Sequence, residues 1–226
     1  MTWLGGLRWP EVGDGALLAV PLGATEQHGP HLPLDTDTAV AAELCRRLAE
    51  RVPDVLVAPA LPYGSSGEHA GFPGTLSIGR EALELALVEL VRSADHFAGV
   101  VLVSGHGGNA EPLRGAVRLL RAEGRRVLAW LPSGRADDSH AGRTETSAVL
   151  RLRPGDVRLA LAERGRTEPL PELLGRLTRD GVRAVSPNGV LGDPAGASAG
   201  EGETVLATWT DALVRSVRAW SALTST

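Results

Sequence analysis

The segment ATEQHGPHLPLDTDT (24–38) brings Glu26, His28, His31, Asp35 and Asp37 together directly after an apolar run. Imidazole mixed with carboxylate is a donor set that suits zinc, manganese, iron or cobalt better than calcium or magnesium. Two later segments carry the same mixture. SGHGGNAE (104–111) holds His106 and Asn109, and SHAGRTETS (139–147) holds His140 and Glu145. Glu26 and His28 are two residues apart, so on extended backbone they share a face. Asp37 has two carboxylate oxygens and can join two ions. A pair of divalent ions about 3.5–4 Å apart activates water and polarises a carbonyl, which is hydrolytic chemistry.

Each of these residues also has a structural reading. Asp37 can cap a helix that opens at Thr38, and one aspartate can do both jobs. His106 can be a loop histidine in a tight glycine turn. GHGGN also matches an anion cradle, since glycine amides at a helix start bind phosphate. The P-loop lysine is missing, however, and the chain contains no lysine. Glu145 can be an ordinary acid in the first turn of a helix. His96 closes a helical pattern, where a cation favours the dipole, and is read as structural. Against these readings stands the gathering of five of the six histidines near glycine-rich turns.

The elements that must position these residues are short apolar runs. ALLAVPLG (16–23), VLVAPAL (55–61), GVVLVSG (99–105) and RVLAWLP (126–132) are continuous rather than alternating, as strands buried on both faces are. Helical patterns lie between them over 37–52, 80–97 and 111–124. The first has Val40, Leu44, Leu48 and Val52 on one face; the last opens with an acid and a proline and closes on glycine. The order predicts an α/β fold, a three-layer α/β/α sandwich with a mostly parallel sheet and right-handed crossovers. In such sheets ligands bind at the carboxyl ends of strands, and the donor-bearing segments follow strands there. Helices are expected over 169–182 and 202–223. The Gly- and Pro-rich loop 185–202 between them is of a kind that compact domains keep mainly for function.

The 226 residues show no linker, repeat or low-complexity tract, so 1–226 is read as one domain. A net charge of −4 argues against a nucleic-acid partner. No apolar stretch approaches the ~18 to 20 residues of a membrane span, and the N-terminus lacks the basic-then-apolar order of a secretory leader. One cysteine excludes an internal disulfide, which fits a reducing cytoplasm. Cys45 lies in a helical pattern and reads as a small buried residue. All 23 basic residues are arginine, which reads as a GC-rich genome. Trp3, Trp9, Trp209 and Trp220 read equally as core or as subunit interface.

Taken in order, GATEQHGPHLPLDTD, HAGFPGTLS, SGHGGN and HAGRTETS resemble the creatininase (creatinine amidohydrolase) family, with a weaker echo in GVLGDPAGASAGEGE. The resemblance implies a creatininase-like fold and two divalent metal ions, zinc and/or iron with manganese possible. It implies cleavage of C–N bonds in cyclic or linear amides, and a homo-oligomer, hexamer or octamer. It also implies Glu26, His28, a bridging Asp37 and His106 as metal ligands, and matches the late stretch to His140 and Glu145. Creatinine hydrolases themselves carry Tyr and Glu where this chain has Gly107 and Gly108. That glutamate completes their second metal site, so Glu145 is expected to take its place. They also place a tryptophan where this chain has Ala136. Both departures argue against creatinine and for a roomier pocket. Within the family the opening is most similar to the mycofactocin-system branch, which releases a C-terminal Val-Tyr dipeptide from a modified precursor peptide. The alternative substrate is a small cyclic amide or formamide.

The site so implied sets Glu26, Asp37 and His106 around one ion and His28, Asp37 and Glu145 around the other. His140 and Glu145 are the catalytic candidates, with His140 shuttling a proton. His69, Thr75, Ser77, Gly107 and Gly108 are expected at the substrate. His31 is expected to steady a ligand by hydrogen bond.

Overall fold

A computed structural model describes residues 2–222. Its centre is a five-stranded, wholly parallel sheet in the order β1-β3-β2-β4-β5. The strands are β1 (Thr2–Trp3), β2 (Leu17–Leu22), β3 (Val55–Val57), β4 (Gly99–Ser104) and β5 (Val127–Trp130). The helices are α1 (Thr36–Arg51), α2 (Arg80–Arg92), α3 (Ala110–Ala122), α4 (Arg143–Leu152), α5 (Leu170–Asp180), α6 (Val182–Val185) and α7 (Ala199–Ala222). Among the described residues no helix is long and apolar enough to cross a membrane.

Side chains alternate across the sheet, and this splits the core in two. Leu18, Val20, Leu22, Val100 and Leu102 pack with Leu83, Leu87, Leu113 and Leu120 of α2 and α3. Ala19, Val57, Val101 and Val103 pack with Val40, Leu44, Leu48, Leu206 and Leu213 of α1 and α7. Both faces are covered, so the runs show no polar alternation, and the expected three-layer sandwich is the one observed. Cys45, Trp209 and Trp220 belong to the second core, with Trp220 at its edge, and the core reading of these two tryptophans holds here. Trp9 is 87% exposed.

Some boundaries differ from expectation. The apolar run 55–61 pairs as a regular strand over three residues, ending at Val57. Pro59 interrupts the run and Pro21 has no N–H to donate beside it, but the pairing resumes beyond them, where the Leu61 amide donates to the Pro21 carbonyl and the Gly23 amide to the Leu61 carbonyl. β1 is too short to show a period. α4 lies outside the helical patterns above; its first turn carries Glu145, as one of the readings of that residue has it, and presents donors rather than an apolar face. α2 closes at Arg92 and continues as tight turns to Phe97. α7 starts three residues earlier than its apolar pattern, where the Ser198 hydroxyl accepts the Glu201 amide as an N-cap does.

The connection from β2 runs through α1 to β3 on one side. The connection from β4 runs through α3 to β5 on the other side and the opposite face. β2 and β4 are neighbours, so the switch point of the topology opens a crevice beyond their carboxyl ends. The first turn of α1 enters that crevice. A Cβ on Gly105, the residue after β4, would sit 2.3 Å from the Asp37 carbonyl oxygen, so this approach requires glycine. α5 and α6 make a small satellite core of Leu173, Leu177, Val182 and Val185 with Leu191.

Candidate metal centre

Beyond β2 the chain carries Glu26 and His28, both fully buried. Asp37 is the second residue of α1 and 3% exposed. The residue at the cap position is Asp35, and Asp37 makes no capping bond, so its carboxylate turns into the crevice. A carboxylate in a first turn is also favoured by the helix dipole. His106 follows β4 in the glycine turn. His140 precedes α4, and Glu145 lies in its first turn.

These groups meet at short range. His28 Nε2 is 3.2 Å from Asp37 Oδ1 and 4.0 Å from Glu145 Oε2. His106 Nδ1 is 3.2 Å from Glu26 Oε1 and 3.3 Å from Asp37 Oδ2. His140 Nδ1 is 3.8 Å from Glu26 Oε1. Three sets of donor atoms each lie within 4.8 Å of one another: Glu26, Asp37 and His106; His28, Asp37 and Glu145; and Glu26, His28 and His140.

The donor set fits a metal on two further observations. Glu26 Oε1 and Oε2 and Asp37 Oδ2 are buried without a hydrogen-bond partner among the described residues. Buried carboxylate oxygens left so are costly unless a cation compensates them. The imidazoles are also oriented as ligands are. His28 Nδ1 donates to the Glu26 carbonyl, which leaves Nε2 facing the carboxylates. His106 Nε2 donates to the Ser65 carbonyl, which leaves Nδ1 facing them. Backbone anchoring of the outer nitrogen is the usual support of a metal-bound histidine.

Electrostatics follow from this crowding. Burial, and then Asp37, push the Glu26 carboxyl up, but His106 and His69 together bring it down to about 2. Burial opposes a charged His28, yet Asp37, Glu145 and Glu26 raise it to about 10. Asp37 is held low by His28 and His106 against the burial cost. Glu145 moves the other way, raised to about 7 by burial, with His28 opposing and Asp37 adding. Burial, then the neighbouring His28 and His69, hold His140 well below the ordinary histidine range.

The other expected residues divide. Gly107 borders both cavities over the centre, and Gly108 and His69 border the larger. A Cβ on Gly108 would lie 2.3 Å from His106 Nε2 and 2.4 Å from the Ser65 carbonyl oxygen, so the turn tolerates no side chain there. Thr75 and Ser77 do not border these two cavities. Their hydroxyls serve the backbone instead: Thr75 Oγ1 accepts from the Gln27 amide, and Ser77 Oγ from the Ser66 and Gly79 amides. His31 also departs from expectation. Its Nε2 pairs with the Thr146 hydroxyl, not with a ligand. Asp35 is engaged by Arg153 away from the centre. His96 packs on Phe97, consistent with its structural reading.

Two contributors carried no signal of metal chemistry. Gln27 sits between two candidate ligands and reaches both His69 and His140. The 185–202 loop returns to its own chain, where Leu191 exchanges backbone hydrogen bonds with His140. Ala141, fully buried beside it, has φ of +52°, a strained value for alanine. Its amide donates to Glu145 Oε2, so the strain orients that carboxylate.

Residues 6–217 match the family model described as creatinine amidohydrolase. A curated relative from Mycolicibacterium smegmatis, "Mycofactocin precursor peptide peptidase", is 49% identical over 211 residues, covering 90% of this chain and 85% of its own. A relative of the same name from Mycobacterium tuberculosis is 51% identical over 214 residues, with the same two coverages. Among solved structures, one described as "Creatininase Mn" superposes with a TM-score of 0.79 at 28% identity, over 96% of this chain and 97% of that one.

Proposed function

The chain belongs to the creatininase family of amide-bond hydrolases, and we propose that it is the metal-dependent peptidase that removes a C-terminal Val-Tyr dipeptide from the modified mycofactocin precursor peptide. The observation that carries this reading is the pair of donor sets sharing Asp37, set where two cavities meet.

One cavity, of about 380 Å³, is bordered by Val40, Leu131, Leu170 and Trp209, with Ala136 at its edge. The other, of about 720 Å³, is bordered by His69, His140, Leu174, Arg179 and Arg183. His106, Gly107, Ser139 and Leu170 belong to both. A small cyclic amide has no use for two lobes. A peptide crossing the centre places its tail in the smaller, largely apolar one and its body in the larger.

Glu26, Asp37 and His106 would hold one divalent ion, and His28, Asp37 and Glu145 the other; zinc and/or iron, or manganese, would fit these donors. Bound there, the pair supplies Lewis acidity that acidifies water and polarises the scissile carbonyl. The chain's own part is positional and protolytic. His140, kept neutral by burial and by its histidine neighbours, exchanges a proton at Nδ1 and passes it to the departing nitrogen. The enzyme works in the cytoplasm as one domain per chain, assembled into a homo-oligomer.

Elemental analysis of protein purified without chelator, paired with mass spectrometry of the precursor peptide, tests this reading. Two ions per chain and a peptide shortened by Val-Tyr are expected. Formate release or ring opening with an intact peptide would move the assignment to the small-amide alternative.

A further inference from the structure

We propose that Gln27 is a positioning residue that fixes two neighbouring imidazoles in opposite roles, His69 as a hydrogen-bond donor and His140 as a proton acceptor.

The argument is one of hydrogen-bond accounting. Gln27 Oε1 accepts the Gly29 amide at 2.9 Å, and Gln27 Nε2 lies 3.0 Å from the Gly189 carbonyl oxygen. Turning the side-chain amide over would set NH₂ against an N–H and oxygen against a carbonyl, so the backbone fixes its orientation. The two hydrogens of Nε2 then have defined acceptors. One goes to Gly189, and the other to His69 Nδ1 at 2.9 Å. His69 Nδ1 must therefore be bare, and the ring proton sits on Nε2. That nitrogen is 3.4 Å from Glu26 Oε1, and His69 itself borders the larger cavity.

His140 is set by the main chain of the same residue. Its Nε2 lies 2.8 Å from the Gln27 carbonyl oxygen, a contact that requires a proton on Nε2. The 3.0 Å approach of Gln27 Nε2 to that nitrogen is then a contact between two donors, since both amide hydrogens are already used. Nδ1 of His140 is left bare and faces Glu26. The rings of His28, His140 and His69 lie in a row, 4.4 and 4.5 Å between centroids, so the two tautomers are set side by side. Gly189 closes the arrangement: its φ is +81°, and a Cβ there would sit 1.9 Å from Gln27 Oε1. His69 Nε2–H thus offers a donor to a substrate oxygen, and His140 Nδ1 accepts a proton. These roles rest on the amidohydrolase reading; the tautomers do not.

Ring ¹⁵N shifts of histidine-labelled, zinc-loaded protein, assigned by single histidine substitutions, test the proposal. The expected result is protonated Nε2 and unprotonated Nδ1 on both His69 and His140. In Gln27→Met, His140 keeps its tautomer because a main-chain carbonyl holds it, while His69 populates both. Bound metal stays unchanged, and kcat/KM for peptide cleavage falls at least about tenfold. A proton on His69 Nδ1 in the native protein, or an unaltered His69 in Gln27→Met, overturns the proposal. Expected tautomers in a protein that cleaves no peptide would overturn the peptidase reading and leave the role of Gln27 standing.

Discussion

Asp37 combines two properties that ordinary aspartates avoid: it is buried, and Oδ2 lacks a hydrogen-bond partner among the described residues. Its two oxygens face different histidines, 3.2 and 3.3 Å away, so it is the residue on which both donor sets depend. Asp37→Asn keeps the volume but gives up the charge and one acceptor. Bound metal should fall below two ions per chain and activity by more than about 100-fold, with the far-ultraviolet circular dichroism unchanged. Ala136 acts through volume instead. It is exposed at the edge of the smaller cavity, where a bulkier residue has room to fold but then fills the lobe. Ala136→Trp should abolish peptide cleavage while elemental analysis still finds the full metal content. A variant that cleaves the peptide as fast as the native chain would remove the smaller lobe from the substrate path.

Among the elements, α1 decides the geometry, because its first turn lies between the ends of β2 and β4. Gly105→Ala would drive a methyl group into the Asp37 main chain, and backbone cannot yield as a flexible side chain does. Displacement of Asp37 should weaken metal binding, read by isothermal titration, more than the modest loss of melting temperature would suggest. The outer face of the same layer is tied by charge. Arg47 of α1 and Arg151 of α4 both pair with Glu203 of α7. Those arginines, Arg47 first, hold the Glu203 carboxyl down at about 2 against an ordinary value of 4.5. A depressed carboxyl stabilises the fold above its unfolded value and stops doing so as pH falls through its folded one. Glu203→Gln should therefore cost about 0.5 kcal/mol at pH 7, the scale of an exposed pair. Denaturant titrations from pH 5 down to pH 2 should show most of the difference from the native chain disappearing.

Across the whole molecule, the candidate centre joins segments that the chain keeps far apart: the end of β2, the start of α1, the end of β4 and the start of α4. Ions bound there would cross-link the helical layer of α1 and α4 to the carboxyl ends of the two central strands. A ligand bound only by the folded state, present at 100 times its Kd, stabilises by about 2.7 kcal/mol. For a chain of this size that is a shift of about 5–10 °C. Chelation should lower the melting temperature by that order, and added zinc should restore both temperature and activity. A melting curve indifferent to chelator would mean that no ion is held at this junction. The two cavities share His106, Gly107, Ser139 and Leu170 at this junction.

Residue chemistry and apolar runs were enough to determine the family, the parallel α/β sheet and the identity of the candidate donors. Glutamate, histidine and aspartate declare their donor atoms by type, and strands buried on both faces declare themselves by unbroken apolarity. Tertiary structure decided the rest. Pro21 and Pro59 cut a seven-residue apolar run to a three-residue strand, and β1 exists only because β3 is there to pair with it. Thr75 and Ser77, polar and next to a motif, turned to the backbone rather than to the cavities. Gln27 looked like filler between two ligands, yet its partners His69, His140 and Gly189 lie 42, 113 and 162 residues away. Spacing along a chain reports which atoms are available. Which nitrogen faces which carboxylate depends on crossovers and hydrogen bonds between distant residues, and those exist only once the sheet has closed.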